Sequence, residues 1–160
     1  MNTVKTWQTR SSGPEDTFAI GERLGKACKG GEVFLLSSDL GGGKTTLTKG
    51  IGKGMGSHAV VSSPTFTVSR EYTCPSGLTL HHFDFYRLNE GGMVAHELSE
   101  VLGDETAVIV IEWGDVVEAV IPDGAIRIDI SRSNDGEEVR VLDCAYPEEK
   151  SYIMSTKENL

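Results

Sequence analysis

Val33-Phe34-Leu35-Leu36-Ser37-Ser38-Asp39-Leu40-Gly41-Gly42-Gly43-Lys44-Thr45-Thr46 is the stretch that decides the fold. Its apolar run, Val33–Leu36, is short and bounded by glycines, which suits a strand buried on both faces as in a parallel sheet. After Gly43 the sequence predicts a helix from Lys44 to about Lys53, although the later glycines each weaken it by ~1 kcal/mol relative to alanine. Strand, glycine turn and helix in that order are the setting of a phosphate-binding P-loop. Backbone N–H groups in such a turn converge on an anion, and the helix N-terminus adds roughly half a positive charge. Asp39, Leu40, Gly41, Gly42 and Gly43 would form the cradle, with Thr46 at its exit. Lys44 would carry a full charge to the β and γ phosphates, and Thr45 would offer its hydroxyl to Mg²⁺. The consensus GxxxxGK[ST] places its first glycine at Ser38, so here a side chain stands where that pattern has none.

A P-loop needs acids for its metal and its attacking water. Glu112 closes the apolar run Val108-Ile109-Val110-Ile111. A buried parallel strand delivers its last residue to the crevice where open α/β sheets bind ligands. The alternative is an ordinary polar residue where a strand surfaces. The second candidate is Asp84, in His82-Phe83-Asp84-Phe85-Tyr86-Arg87. With a period of two, His82, Asp84 and Tyr86 share one face and Phe83 and Phe85 the other. That pattern fits either a site or a half-exposed strand with its polar residues outward. A zinc pair at His82 and Asp84 lacks further ligands nearby in sequence. His58, His81 and His96 read as surface or packing residues. Ser62-Ser63-Pro64-Thr65-Phe66 follows the P-loop helix, where P-loop hydrolases carry a switch whose Thr senses the γ phosphate. From composition alone it is a turn before a strand.

The rest of the chain frames this centre. Ser12-Gly13-Pro14-Glu15 reads as a capping box opening a helix over about 13–29. Phe66 to Tyr72 and Leu78 to Phe85 read as an antiparallel hairpin, residues 92–102 as a helix, and 125–130 with 137–143 as a closing hairpin. Residues 1–146 make one domain, and the polar tail 147–160 is expected to fray.

At 160 residues, with 38% hydrophobic residues, the chain can bury its own core. Its formal charge of −9 excludes a generic nucleic-acid binder. No apolar run approaches the roughly 20 residues of a membrane span, and MNTVKTWQTR has no apolar segment of a secretory leader. Three widely spaced cysteines, Cys28, Cys74 and Cys144, fit neither a disulfide framework nor a CxxC site and read as reduced thiols of a cytosolic protein.

Taken together, DLGGGKTTL (39–47), SPTFTV (63–68), HFDFYRL (82–88) and IEW (111–113), in that order and spacing, resemble the TsaE (also called YjeE) family. The likeness spans about residues 12–143. It implies an α/β fold of the P-loop NTPase type: a mostly parallel central sheet flanked by helices, with antiparallel hairpins at its edges. It also implies a cytoplasmic bacterial ATPase that binds ATP with Mg²⁺ and hydrolyses it slowly. Such a protein serves TsaD and TsaB, which transfer threonylcarbamoyl to adenosine 37 of ANN-decoding tRNAs, and meets tRNA only through that complex. Carried across by position, Lys44 holds phosphates, Thr45 and Glu112 hold the metal, and Asp84 is a metal-shell or water-orienting acid. Thr65 becomes the switch residue, and Trp113 sits beside the site. The chain departs from the family at Ser38 (usually Gly), at Gly114 (often Pro) and across Asn89–Glu100.

Two other classes remain open. A small-molecule kinase would need clustered arginines, and the seven present do not cluster in sequence. A nucleotide-gated binding module with little turnover is the other. A GTPase would carry an NKxD motif, which is absent.

Overall fold

The computed structural model describes residues 3–39, 43–62, 69–85 and 92–159. Seven strands run in chain order as β1 (Val4–Ser11), β2 (Val33–Ser38), β3 (Ser69–Thr73), β4 (Thr79–Asp84), β5 (Ala107–Glu112), β6 (Ile126–Arg132) and β7 (Arg140–Pro147). Between them lie α1 (Pro14–Ala27), α2 (Lys44–Gly54) and α3 (Gly92–Val101), with 3-10 helices at Gly114–Val120 and Glu148–Asn159.

The strands form one sheet in the order β1-β7-β6-β2-β5-β4-β3. Its centre is parallel, β6 with β2, β2 with β5 and β5 with β4. The edges are antiparallel, β1 with β7, β7 with β6 and β4 with β3. This is the expected P-loop architecture, with β2 at the middle.

Period-two alternation divides the core. Phe34 and Leu36, Val108 and Val110, and Ile126 and Ile128 face α1 and α2. Val33, Leu35, Ile109, Ile111, Phe83 and Phe85 face the opposite layer with Leu98 of α3. Each fully buried side chain of this size contributes roughly 1.5–3 kcal/mol, so both faces of β2 and β5 work to hold the centre rigid. At the β1-β7-β6 end, on the second face, Gln8, Arg127, Asp129 and Asp143 line an open hollow of about 580 Å³.

Two of the glycines that weaken α2 as an isolated helix, Gly50 and Gly54, are its contact with α1. A Cβ on Gly21 would lie 2.3 Å from the Leu47 carbonyl oxygen, and one on Gly50 would lie 2.2 Å from that of Phe18. The two backbones approach more closely than any side chain would allow.

Two expectations are corrected. Ser12 and Glu15 form no capping box: the N-cap is Gly13, which has no side chain to give, and Pro14 takes the first turn. Proline fits there because its missing N–H has no helical partner anyway. The reciprocal bond is made one residue on, where Asp16 accepts the Ser12 N–H at 2.9 Å. The tail, expected to fray, instead forms the 3-10 helix Glu148–Asn159, with Ile153 and Met154 buried in the α1 side of the core. Its anchor is Glu32, fully buried, whose carboxylate accepts the Lys29 and Gly30 N–H groups at 2.9 and 2.8 Å and the Tyr152 hydroxyl. The polar composition of the segment concealed two apolar residues at the right depth. Among the described residues, no helix is long and apolar enough to cross a membrane.

Candidate functional site

Three parallel strands end side by side, and their last residues make the site. In register, Leu36 of β2 pairs with Glu112, and Glu112 pairs with Asp84. β2 ends at Ser38, and Gly43, at the head of α2, has a φ of 113°, left-handed and closed to ordinary L-residues. That turn aims the start of α2 at the strand ends.

Lys44 is 5% exposed. Its ammonium donates to Ser38 Oγ at 2.8 Å, to the Ser38 carbonyl at 3.3 Å and to the Asp39 carbonyl at 3.5 Å. It also lies 4.0 Å from the centre of the Trp113 ring, a cation–π contact. Burial draws its pKa below the usual lysine value, while the negative charges of Glu112, Asp84 and Asp39 oppose that shift. Both acids are therefore close enough to act on the same cation.

Glu112 is 2% exposed, and each of its carboxylate oxygens has a partner. The Thr45 hydroxyl donates to Oε1 at 3.4 Å, and His82 Nε2 bonds to Oε2. His82 is itself fully buried, so the reading of β4 as half-exposed with polar residues outward is set aside for this residue. Its Nδ1 has no hydrogen-bond partner among the described residues. Asp84, on the same face two residues on, is partly buried. Trp113 takes φ 59° and ψ 48° to start the 3-10 helix beyond β5. A bulky residue there is a genuine outlier, and it places the indole over Lys44.

Two cavities open at this centre. One of about 210 Å³ is lined by Ser37, Ser38, Lys44, Trp113, Glu118 and Arg127. The other, about 140 Å³, lies at the start of α2 between Thr17, Gly43, Thr46, Glu138 and Arg140.

Of the residues singled out from sequence, Lys44, Thr45, Asp84, Glu112 and Trp113 converge, with Asp39 and Gly43 at the turn. Thr46 faces the second cavity. Leu40, Gly41, Gly42 and Thr65 lie outside the described residues, as does Tyr86. Sequence reading missed Thr17 and Arg140. They come from α1 and β7, and only the strand order brings them to Gly43, so no local signal exists. It saw His82 but not its role as partner of Glu112. That pairing follows from the β4–β5 register, in which Asp84 lies opposite Glu112 and His82 stands two residues earlier on the same face.

No group of three or more His, Cys, Asp or Glu side chains poised for a metal occurs among the described residues.

The family model described as TsaE, threonylcarbamoyl adenosine biosynthesis protein, matches residues 11–141. A Bacillus subtilis protein named tRNA threonylcarbamoyladenosine biosynthesis protein TsaE is 38% identical over 139 residues, 84% of this chain and 83% of the relative. A Streptomyces coelicolor protein of the same name is 40% identical over 124 residues, 76% of this chain and 84% of the relative. The crystal structure of Bacillus subtilis YdiB superposes with a TM-score of 0.75 at 30% identity, covering 99% of this chain and 96% of that one.

Proposed function

The chain belongs to the TsaE family, and from that premise we propose that it is an Mg²⁺-dependent ATPase serving tRNA threonylcarbamoyladenosine (t6A37) formation as an accessory of the TsaD–TsaB complex. The observation that carries this reading is the convergence of Lys44, Thr45, Glu112 and Asp84 where β2, β5 and β4 end. One cation, one hydroxyl and two carboxylates at the mouth of a glycine turn are the parts phosphoryl transfer requires.

The start of α2 would take the phosphates, its free N–H groups and dipole favouring anions. Lys44 would neutralise the β and γ oxygens. Thr45 and Glu112, already in contact, would hold the metal, with Asp84 beside them to ligate it or to orient the attacking water. When bound, Mg²⁺ would offset the charge that develops during transfer. His82 fixes Glu112 from behind. Trp113 covers Lys44 and limits water at the reacting end. The cavity at Thr17, Thr46 and Arg140 would receive the nucleoside. Turnover by the isolated chain would be slow and would rise when a partner completes the site.

The test is phosphate release from ATP, with and without Mg²⁺ and with and without the TsaD–TsaB pair. We expect slow, Mg²⁺-dependent release that the pair accelerates, and loss of most of it in Lys44→Ala. Release unchanged in that variant would refute the site. Tight ATP binding without release in any mixture would favour the nucleotide-gated binding module. Phosphate appearing on a small-molecule acceptor would favour a kinase.

A further inference from the structure

We propose that Ser38 sets the nucleotide affinity of this site by competing with phosphate for the Lys44 ammonium. The proposal rests on the ATP-binding reading above and adds to it the residue that tunes binding.

Ser38 stands where the P-loop pattern has its first glycine, yet it costs the backbone nothing. Its Cα pairs with Ile130 in ordinary strand register, and Trp113 is the only non-glycine residue at positive φ among the described residues. Any effect of the serine is therefore an effect of its hydroxyl. That hydroxyl is oriented: it donates its proton to the Asp39 carbonyl at 2.8 Å. What it turns to its other neighbour is a lone pair, and Lys44 Nζ takes it at 2.8 Å. The Ser38 and Asp39 carbonyls and the Trp113 ring also contact the ammonium, with the charges of Glu112 and Asp84 nearby.

The consequence follows from charge. A lone pair attracts an ammonium but repels a phosphate oxygen. To use Lys44, a phosphate must draw the ammonium from Ser38 Oγ. That costs affinity, and glycine at this position would impose no such cost. Hydrogen bonds to charged groups are the stronger class, so the penalty is measurable.

The experiment compares ATP dissociation constants by calorimetry for the full chain and for Ser38→Ala, Lys44→Ala and the double variant, each checked for folding by thermal melting. We expect Ser38→Ala to bind ATP about fivefold more tightly. The same change in the Lys44→Ala background should have no effect, because the serine acts only through the lysine. Unchanged or weaker binding in Ser38→Ala overturns the proposal. So does an equal gain in both backgrounds, which would make the serine merely an obstacle in the loop.

A second readout does not depend on ATP. In a Trp7→Phe background, Trp113 is the only tryptophan, and its emission reports the ammonium over its ring. Ser38→Ala should shift that emission, and an unchanged spectrum overturns the contact. If no form binds ATP while the spectrum shifts, the nucleotide reading fails and the Ser38–Lys44 contact stands.

Discussion

Glu112 and His82 meet across neighbouring parallel strands, two residues out of register. Glu112 pairs with Asp84, while His82 pairs with Val110, so both side chains emerge on the α2 face. His82 Nε2 takes one carboxylate oxygen and the Thr45 hydroxyl the other. The acid proposed for the metal is therefore aimed from two sides by residues of two different elements.

Removing His82 strands that acid. Glu112 is 2% exposed and cannot recover a lost partner from water. Breaking a buried pair on one side costs about 3–5 kcal/mol, so His82→Ala should lower urea stability by that order. Combined with Glu112→Gln, the loss should be less than the sum, with a coupling of roughly 1–3 kcal/mol. Additive losses would show that the two residues do not depend on each other.

Helix propensity and packing make opposite forecasts for Gly50→Ala. Propensity alone forecasts a gain of ~1 kcal/mol. Yet the new Cβ would stand 2.2 Å from the Phe18 carbonyl oxygen and 3.0 Å from Gly21 Cα. Backbone cannot swing aside as a side chain can, so α1 and α2 must separate. We expect a net loss of about 1–3 kcal/mol in denaturant melts. A more stable variant would mean that the helices part at little cost.

These glycines also mark what the sequence could and could not tell. The strand and helix flanking the glycine run, the other buried strands and the acid ending β5 were legible because each is a local pattern: an apolar run or a period. The closing hairpin was legible for the same reason. Gly21 and Gly50 recurred at visible spacing, but their meaning lies in a contact between two helices. Propensity could register them only as weakness. The capping box failed for a related reason, since the Ser12 and Glu15 spacing was right while Pro14 and Asp16 offered a better start one residue on. The second cavity was not legible at all, because Thr17 and Arg140 reach Gly43 only after the sheet is assembled.

The tail makes a prediction that polar composition would not. Ile153 is fully buried against the α1 side of the core, and Tyr152 holds Glu32. Ile153→Ala should therefore cost about 2–5 kcal/mol, like any large-to-small change in a core. A frayed tail would give no change in the thermal midpoint, which separates the two descriptions directly.

Alkaline pH should loosen the fold through groups held neutral inside it. Burial, helped by the charge of Asp143, pushes the Cys144 thiol from 9.0 up to about 12. Burial likewise raises Cys28, and burial with the Glu32 contact raises Tyr152. In the unfolded chain the Cys144 thiol ionises near pH 9, while in the folded chain it keeps its proton. Above that pH the unfolded state binds fewer protons, so stability falls with each further pH unit until the folded thiol ionises too. The contribution is whole below pH 9 and lost through about pH 12, at ~1.4 kcal/mol per unit, an upper limit of about 4 kcal/mol for this residue. Urea midpoints under reducing conditions at pH 7, 9, 10 and 11 should decline steadily. In Cys144→Ala the decline should be shallower over the same interval, because one of the groups responsible is gone. Parallel declines in the two proteins would remove Cys144 as a cause and leave the alkaline sensitivity to Cys28, Tyr152 and Cys74, whose thiol burial also raises.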